Sequence, residues 1–296
     1  MKKVCYTQQF VKRWKKSLIE TFGYEEYMDF VIQPSFGKKY LSYLPLLNYT
    51  DKTTQEAEDL LELAKESHYQ IRTLNFDYQD FKDHDTVTLR LDIEGKSLDQ
   101  IESKFKRLAK RHIKKEQKLA RYEIKNGQQF FDLFYNILKD IYKYHGTPML
   151  PKLFFHNLIK NFGEDLDIFI LFDKNSTAIG TILVLYDQGM ASSYYGGITP
   201  DNKEAGAGYF MYYELIRYLL LKPGIHTIDF GRSPYNGGTY FFKTRFGATP
   251  IKIDILTDTQ KDIYSSYALA AKIWSKLPTK LTDIVGPKLT KYLVDL

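Results

Sequence analysis

Apolar residues recur along this chain with two periods, one near four residues and one of two. Phe10, Trp14 and Leu18 stand four apart behind Thr7 and ahead of Gly23, which predicts a helix over 7–22 with a cap at each end. Ala57, Leu60, Leu61 and Ala64 predict a second helix, opened by Thr53 or Thr54 and running to Ser67. Between them, Met28–Ile32 and Tyr40–Leu47 are short strand-like pieces broken by Pro34, Gly37 and Pro45. Gln70–Asn75 and Thr86–Asp92 alternate as strands around a polar loop. Leu98, Ile101, Phe105 and Leu108 then predict one amphipathic helix of about six turns. A short strand at Tyr122–Ile124 and helices over 130–144 and 152–161 follow. Asp167–Phe172, Ala178–Tyr186 and Met190–Gly196 form a predicted meander, joined by the turns DKNS and DQG. A helix over 209–221, a strand over 226–230, a short helix near 240–246 and a strand over 252–256 complete the order, with a helical tail from Asp258 interrupted by Pro278 and Pro287. Helices, a meander, a helix and further strand occur in both halves, which makes the fold α+β with two units of similar plan.

Charge changes this picture at one place. The 296 residues carry 42 Lys and Arg against 36 Asp and Glu, a net of +6. Lys104–Arg121 alone holds nine Lys or Arg and one acid, Glu116, so +8 sits in eighteen residues and −2 on the rest. Such a run reads either as a solvated helix face or as a footprint for phosphate in RNA, nucleotide or lipid. A single cysteine, Cys5, excludes a disulfide framework, a CxxC pair and a thiolate zinc site. No apolar run reaches the roughly 18 residues of a membrane helix, and the basic N-terminus lacks the apolar core of a signal peptide, so a cytoplasmic location is expected.

Much chemistry is missing. No GxSxG elbow, HExxH pair or GxxxxGK[ST] loop occurs, and Asp229-Phe230-Gly231 has none of the other kinase motifs around it. Two segments remain. Lys203, Gly206 and Gly208 lie in KEAGAG, between a strand and a helix, where glycines let backbone N–H groups face an anion. A glycine-capped helix start accounts for the same residues. The second segment, IDFGRSPYNGGTYFFKTRFGATP, puts Arg232 and Ser233 at a strand end and Lys243 among Tyr240, Phe241, Phe242 and Phe246. That lysine either snorkels to solvent or is held over a cleft.

The string FGRS…G..YxFKxxFG..P resembles the C-terminal signature of the Fem-type aminoacyl transferases and their FemAB-like relatives, a branch of the GNAT superfamily built from two GNAT-like domains. LSYLPLLNYTD, the strand and basic helix VTLRLDIEG…LARYEI, YKYHGTP and SSYYGG resemble further segments of that family. KEAGAG resembles the pyrophosphate loop of GNAT acyltransferases, with Lys203 in place of Arg or Gln.

The resemblance implies two domains, each a mixed, mainly antiparallel sheet flanked by helices: 1–95, completed by 259–296, and 96–258. It implies transfer of an aminoacyl or acyl group to an amine or hydroxyl of a cell-wall (peptidoglycan) precursor, surface polysaccharide or similar acceptor. The donor would be aminoacyl-tRNA or acyl-CoA, with no permanently bound cofactor and no metal. Lys243 is the position that family places near the donor ester and phosphates. Arg232 and Lys243 would supply positive charge, and Tyr195 a hydrogen bond. Phe242, Tyr240, Ser233, Lys203, Gly206, Gly208, Arg107 and Arg111 would bind the donor. Asn48-Tyr49-Thr50 replace the family's first-domain glycines, which leaves the acceptor open. Peripheral contact with the inner membrane surface is a further expected interaction. The rival reading is a non-catalytic RNA- or anionic-surface-binding protein that keeps the fold.

Overall fold

The computed structural model describes residues 5–35, 37–63, 68–203, 205–258 and 263–293. Ala64, Ser67 and Glu204, which take part in the readings above, lie outside them. In chain order the elements are α1 (Gln8–Phe22), β1 (Glu25–Tyr27), β2 (Phe30–Ser35), β3 (Lys38–Ser42), α2 (Thr54–Leu63), β4 (His68–Asn75), β5 (Thr86–Asp92), α3 (Leu98–Ser103), α4 (Arg107–Leu119), β6 (Tyr122–Asn126) and α5 (Phe131–His145). There follow α6 (Lys152–Phe162), β7 (Leu166–Asp173), β8 (Ala178–Asp187), β9 (Met190–Ile198), α7 (Ala205–Leu221), β10 (Thr227–Pro234), α8 (Gly238–Thr244), β11 (Thr249–Thr257), α9 (Ile263–Lys276) and α10 (Thr279–Leu289).

The chain forms two compact units, one of residues 5–75, 142–163 and 253–296, the other of 76–141 and 164–252. In the first, α1 begins as its sequence dictates, with Thr7 Oγ1 accepting from the Phe10 N–H and Gly23 closing the helix in the left-handed region. Its stripe of Phe10, Trp14 and Leu18 is buried, and the Phe10 and Trp14 rings meet Phe162 and Phe154 of α6. β1, β2 and β3 pair antiparallel, and β3 pairs parallel with β4.

In the second unit β7, β8 and β9 form the expected antiparallel meander, and β6 pairs antiparallel with β7. β9 then pairs parallel with β10, and β5 pairs antiparallel with β10 and with Thr249–Lys252 of β11. β5 therefore belongs here, and the edge of the unit lies at residue 76 and not at 96. The reason is burial: Val87, Leu89 and Leu91 fill this unit's core, with Ile101, Phe105, Ala109 and Ile113 from α3 and α4 and Met211, Leu215 and Leu219 from α7. Residues 142–163, expected in the second domain, join the first unit because the aromatic face of α6 packs on α1.

The six-turn basic helix is a correction. It divides into α3 and α4 across Lys104–Lys106, where Lys106 is extended and its N–H donates to the Arg245 carbonyl. Phe105 keeps the apolar period through the break and meets Phe246 and Tyr213.

Candidate active site

A parallel pair of strands opens at one end of the second unit's sheet. β9 and β10 pair from Met190 with Thr227 to Ser192 with Asp229, and no further. Beyond that level β9 stays on β8 and β10 stays on β5. Each strand bulges where they part: β9 between Ser193 and Tyr195, and β10 between Asp229 and Arg232, with Gly231 at φ +73°. A bulge inserts one residue, bends its strand and frees backbone groups from the ladder, a device common beside active sites. The opening lies at the carboxyl ends of two parallel strands, where sheets of this kind take their ligands.

Asp229 fixes the bulge of β10 from inside. Its carboxylate accepts from Thr88 Oγ1 (2.6 Å), Arg90 Nε (2.9 Å) and the Gly231 N–H (2.7 Å). Asp229 and Arg90 are both fully buried. The sequence held this signal in the arginine set inside the apolar alternation of VTLRLD, which the reading of motifs passed over.

Lys243 completes the opening. Gly237 and Gly238 turn the chain into α8, whose one buried residue is Lys243, 8% exposed. Its ammonium donates to the carbonyls of Gly231 (2.9 Å) and Arg232 (2.8 Å), taking the place of a neighbouring strand at the bulge. Burial pulls its pKa down from the usual lysine value to about 7, while Asp229 raises it and Arg232 lowers it further. It does not snorkel. The burial that costs a lysine its charge leaves a cation poised at neutral pH.

Other expected residues gather around this pair or stand apart from it. Arg232 is half-buried on β10. Ser233, expected at a strand mouth, is buried within β10 opposite Val87, and its hydroxyl donates to the Arg232 carbonyl. Tyr195 is buried on β9 just past its bulge. Phe242 packs on Tyr209, Tyr212 and Phe246, and lies beside Gly208 in the first turn of α7. Tyr240 turns to Tyr235, ring centroids 4.7 Å apart. Burial first, and then the hydrogen bond with Tyr235, push its pKa up to about 12. Tyr212, which the motifs did not single out, reaches across to bond Ser193 of β9, and burial raises its pKa.

The glycine loop contains a surprise. Glu116 of α4 is 1% exposed and pairs with Arg121 at 2.7 Å. Its carboxylate lies against Gly206, where a Cβ would overlap Oε1. Glycine is required there to admit an acid of this chain, and that same acid stands beside the helix start expected to face a donor phosphate. Lys203 is exposed, and desolvation lowers its pKa. Arg107 and Arg111 lie on the exposed side of α4. His112 stacks flat on Tyr209 (5.0 Å, 4°), whose hydroxyl receives a hydrogen bond from Arg245. Desolvation, then Arg111 and Lys115, lower the pKa of His112. Gly206→Ala should lower stability by about 1–2 kcal/mol, since the buried Glu116 must move and strain its pair with Arg121. Thermal unfolding of the variant checks this.

Residues 103–244 match the family model described as the acetyltransferase (GNAT) domain. The fold is GNAT-like. A solved structure of FemX has TM-score 0.56 and 14% identity, with 92% of this chain and 100% of that one covered. The C-terminal domain of a lysylphosphatidylglycerol synthetase from Agrobacterium fabrum follows at 0.54 and 10%, with 89% and 95% covered. L-PGS from Bacillus licheniformis gives 0.52 and 10%, with 90% and 97% covered. No curated protein sequence matches the chain. The GNAT-like match takes in α4, the opening between β9 and β10, and Lys243.

Proposed function

We propose that this chain transfers an aminoacyl or acyl group from an activated donor to an amine or hydroxyl, with the reaction at the opening between β9 and β10. The observation that carries the reading is Lys243, a buried cation with its pKa near 7, held on the bulge where the strands part. Attack on an ester needs a neutral nucleophile, two reactants held together and charge for the oxyanion. An ammonium has three N–H donors. Two go to the Gly231 and Arg232 carbonyls, and the third serves the developing oxyanion or a donor phosphate. In a dry site this charge counts for more than it would in water. Arg232 adds positive charge, Tyr195 supplies a hydroxyl, and Phe242 forms an apolar wall.

An aminoacyl-tRNA donor is favoured over acyl-CoA. Lys106, just before α4, and Arg107, Lys110, Arg111, Lys114, Lys115 and Lys118 on it are all exposed, while the one acid of α4, Glu116, is turned inward. The Glu116 carboxylate beside Gly206 opposes a pyrophosphate at that helix start. The likeness to lysylphosphatidylglycerol synthetases supports an aminoacyl group, and cell-wall precursors or surface polysaccharides are the acceptors proposed.

Incubation of amine- and hydroxyl-bearing acceptors with charged tRNA or with acyl-CoA, read by intact mass, tests the proposal. An aminoacyl mass added from charged tRNA is the expected result. An acyl mass from CoA reassigns the donor, and no product from either removes the transferase reading. Changing Lys110, Arg111, Lys114 and Lys115 to Gln should weaken tRNA binding and flatten its log–log salt slope by about 3–4, measured by filter binding across salt.

A further inference from the structure

Helix α10 wears its polarity inside out. In α10 the buried residues are Thr282 and Gly286, whereas Leu281, Val285 and, at 62%, Ile284 are exposed. An amphipathic helix on a protein core ordinarily does the reverse. The inward face is small because the packing is close: a Cβ on Gly286 would stand 3.1 Å from the Met149 backbone nitrogen and 3.4 Å from Trp274 Cζ2. The outward stripe of Leu281, Ile284, Val285 and Lys288 follows the spacing of one helix face. Lys280 and Lys288 stand one turn before and after Ile284 on that face, both exposed.

The neighbouring segments repeat the pattern. On α9 Ile273 is exposed between Lys272 and Lys276, and Lys291 and an exposed Tyr292 follow α10. Residues 270–293 hold five lysines and one acid, Asp283. Five of the thirteen large apolar or aromatic side chains exposed among the described residues fall in this short stretch.

We propose that this face docks on an anionic phospholipid surface, a proposal that does not rest on the transferase reading. Leu281, Ile284, Val285 and Ile273 enter the boundary between headgroups and acyl chains, and the lysines around them meet lipid phosphates. Tyr292, exposed beyond α10, is a ring type that settles at such an interface. A second copy of the chain fits poorly, because pairing the face with itself sets five lysines against five.

Flotation of the full chain with vesicles of phosphatidylcholine, with and without phosphatidylglycerol, tests this. Binding only to the phosphatidylglycerol vesicles, weakened by salt, is expected. Trp274 emission should shift to the blue, since the other tryptophan, Trp14, is buried at 0% exposure and silent. Lys280→Gln with Lys288→Gln should lower partitioning about thirty-fold, and Leu281→Gln with Ile284→Gln at least about tenfold. All four side chains are exposed, and thermal unfolding verifies that both variants fold. Absence of binding, equal binding to uncharged vesicles, or variants that bind like the natural chain would overturn the proposal. So would a dimer in sedimentation that Ile284→Gln dissociates, which gives the face to a second copy.

Discussion

Lys243→Met should lower kcat/KM by about two to three orders of magnitude, the loss expected when one charge-bearing donor to an oxyanion is removed. Transfer of the aminoacyl group, followed by mass, measures it. Full turnover without Lys243 sinks the assignment and leaves the reading of a non-catalytic binding protein that keeps the fold. The pH dependence sharpens the test. With Lys243 acting as a cation, as proposed, activity that depends on its charge should decline as pH rises through about 7. A rise over that range would make the neutral amine the working form and Lys243 a base.

Stability moves the other way with pH. The unfolded lysine holds its proton up to its usual value near 10, while the folded one releases it near 7. Between those limits the unfolded state binds more protons, so stability from this residue rises with pH. Below about pH 7 the full cost of burying the charge is present. Denaturant unfolding of the natural chain and of Lys243→Met at pH 7 and 9 isolates the effect, and the difference between them should change by about 2–3 kcal/mol in favour of the natural chain.

Asp229→Ala should cost about 3–5 kcal/mol, because it leaves the Arg90 guanidinium buried without its partner. Thr88 Oγ1 and the Gly231 N–H lose their acceptor in the same step. The bulge then has no inner anchor, and the carbonyls that seat Lys243 shift, so activity falls with stability. Arg90→Met combined with Asp229→Leu should recover much of the stability, as apolar replacement of a buried pair often does, without recovering the activity. A loss under about 1 kcal/mol in urea unfolding of Asp229→Ala would contradict the burial of the pair.

What could be read from sequence depended on how local its cause was. Thr7, the Phe10, Trp14 and Leu18 stripe and Gly23 act within one helix, and the meander strands carry their turns with them. The break between α3 and α4 is caused elsewhere, by the Arg245 carbonyl that receives the Lys106 N–H, while Phe105 keeps the apolar rhythm unbroken. β10 runs past Phe230 because Asp229 bends back on Gly231, which no propensity records. At the candidate site, the lysine among aromatics was legible. Its burial was not, because two carbonyls released by a bulge hold it. Glu116 was legible only as the odd acid in a basic run, since its reason for being there is a glycine ninety residues later.

The bulge in β10 also decides handedness of position. Asp229 stands opposite Arg90 and Arg232 opposite Thr88. Side chains on a strand alternate faces, so residues three apart would point to opposite sides of a regular sheet. One inserted residue makes the count even. It sets Arg232 on the same face as the Asp229 carboxylate, and Ser233 on the other. Parity, more than identity, places that cation. Straightening the bulge at full length would exchange arginine for serine on that face without changing a single side chain's chemistry, whereas deletion of the one extra residue between Asp229 and Arg232 would leave Arg232 two places on and still on that face.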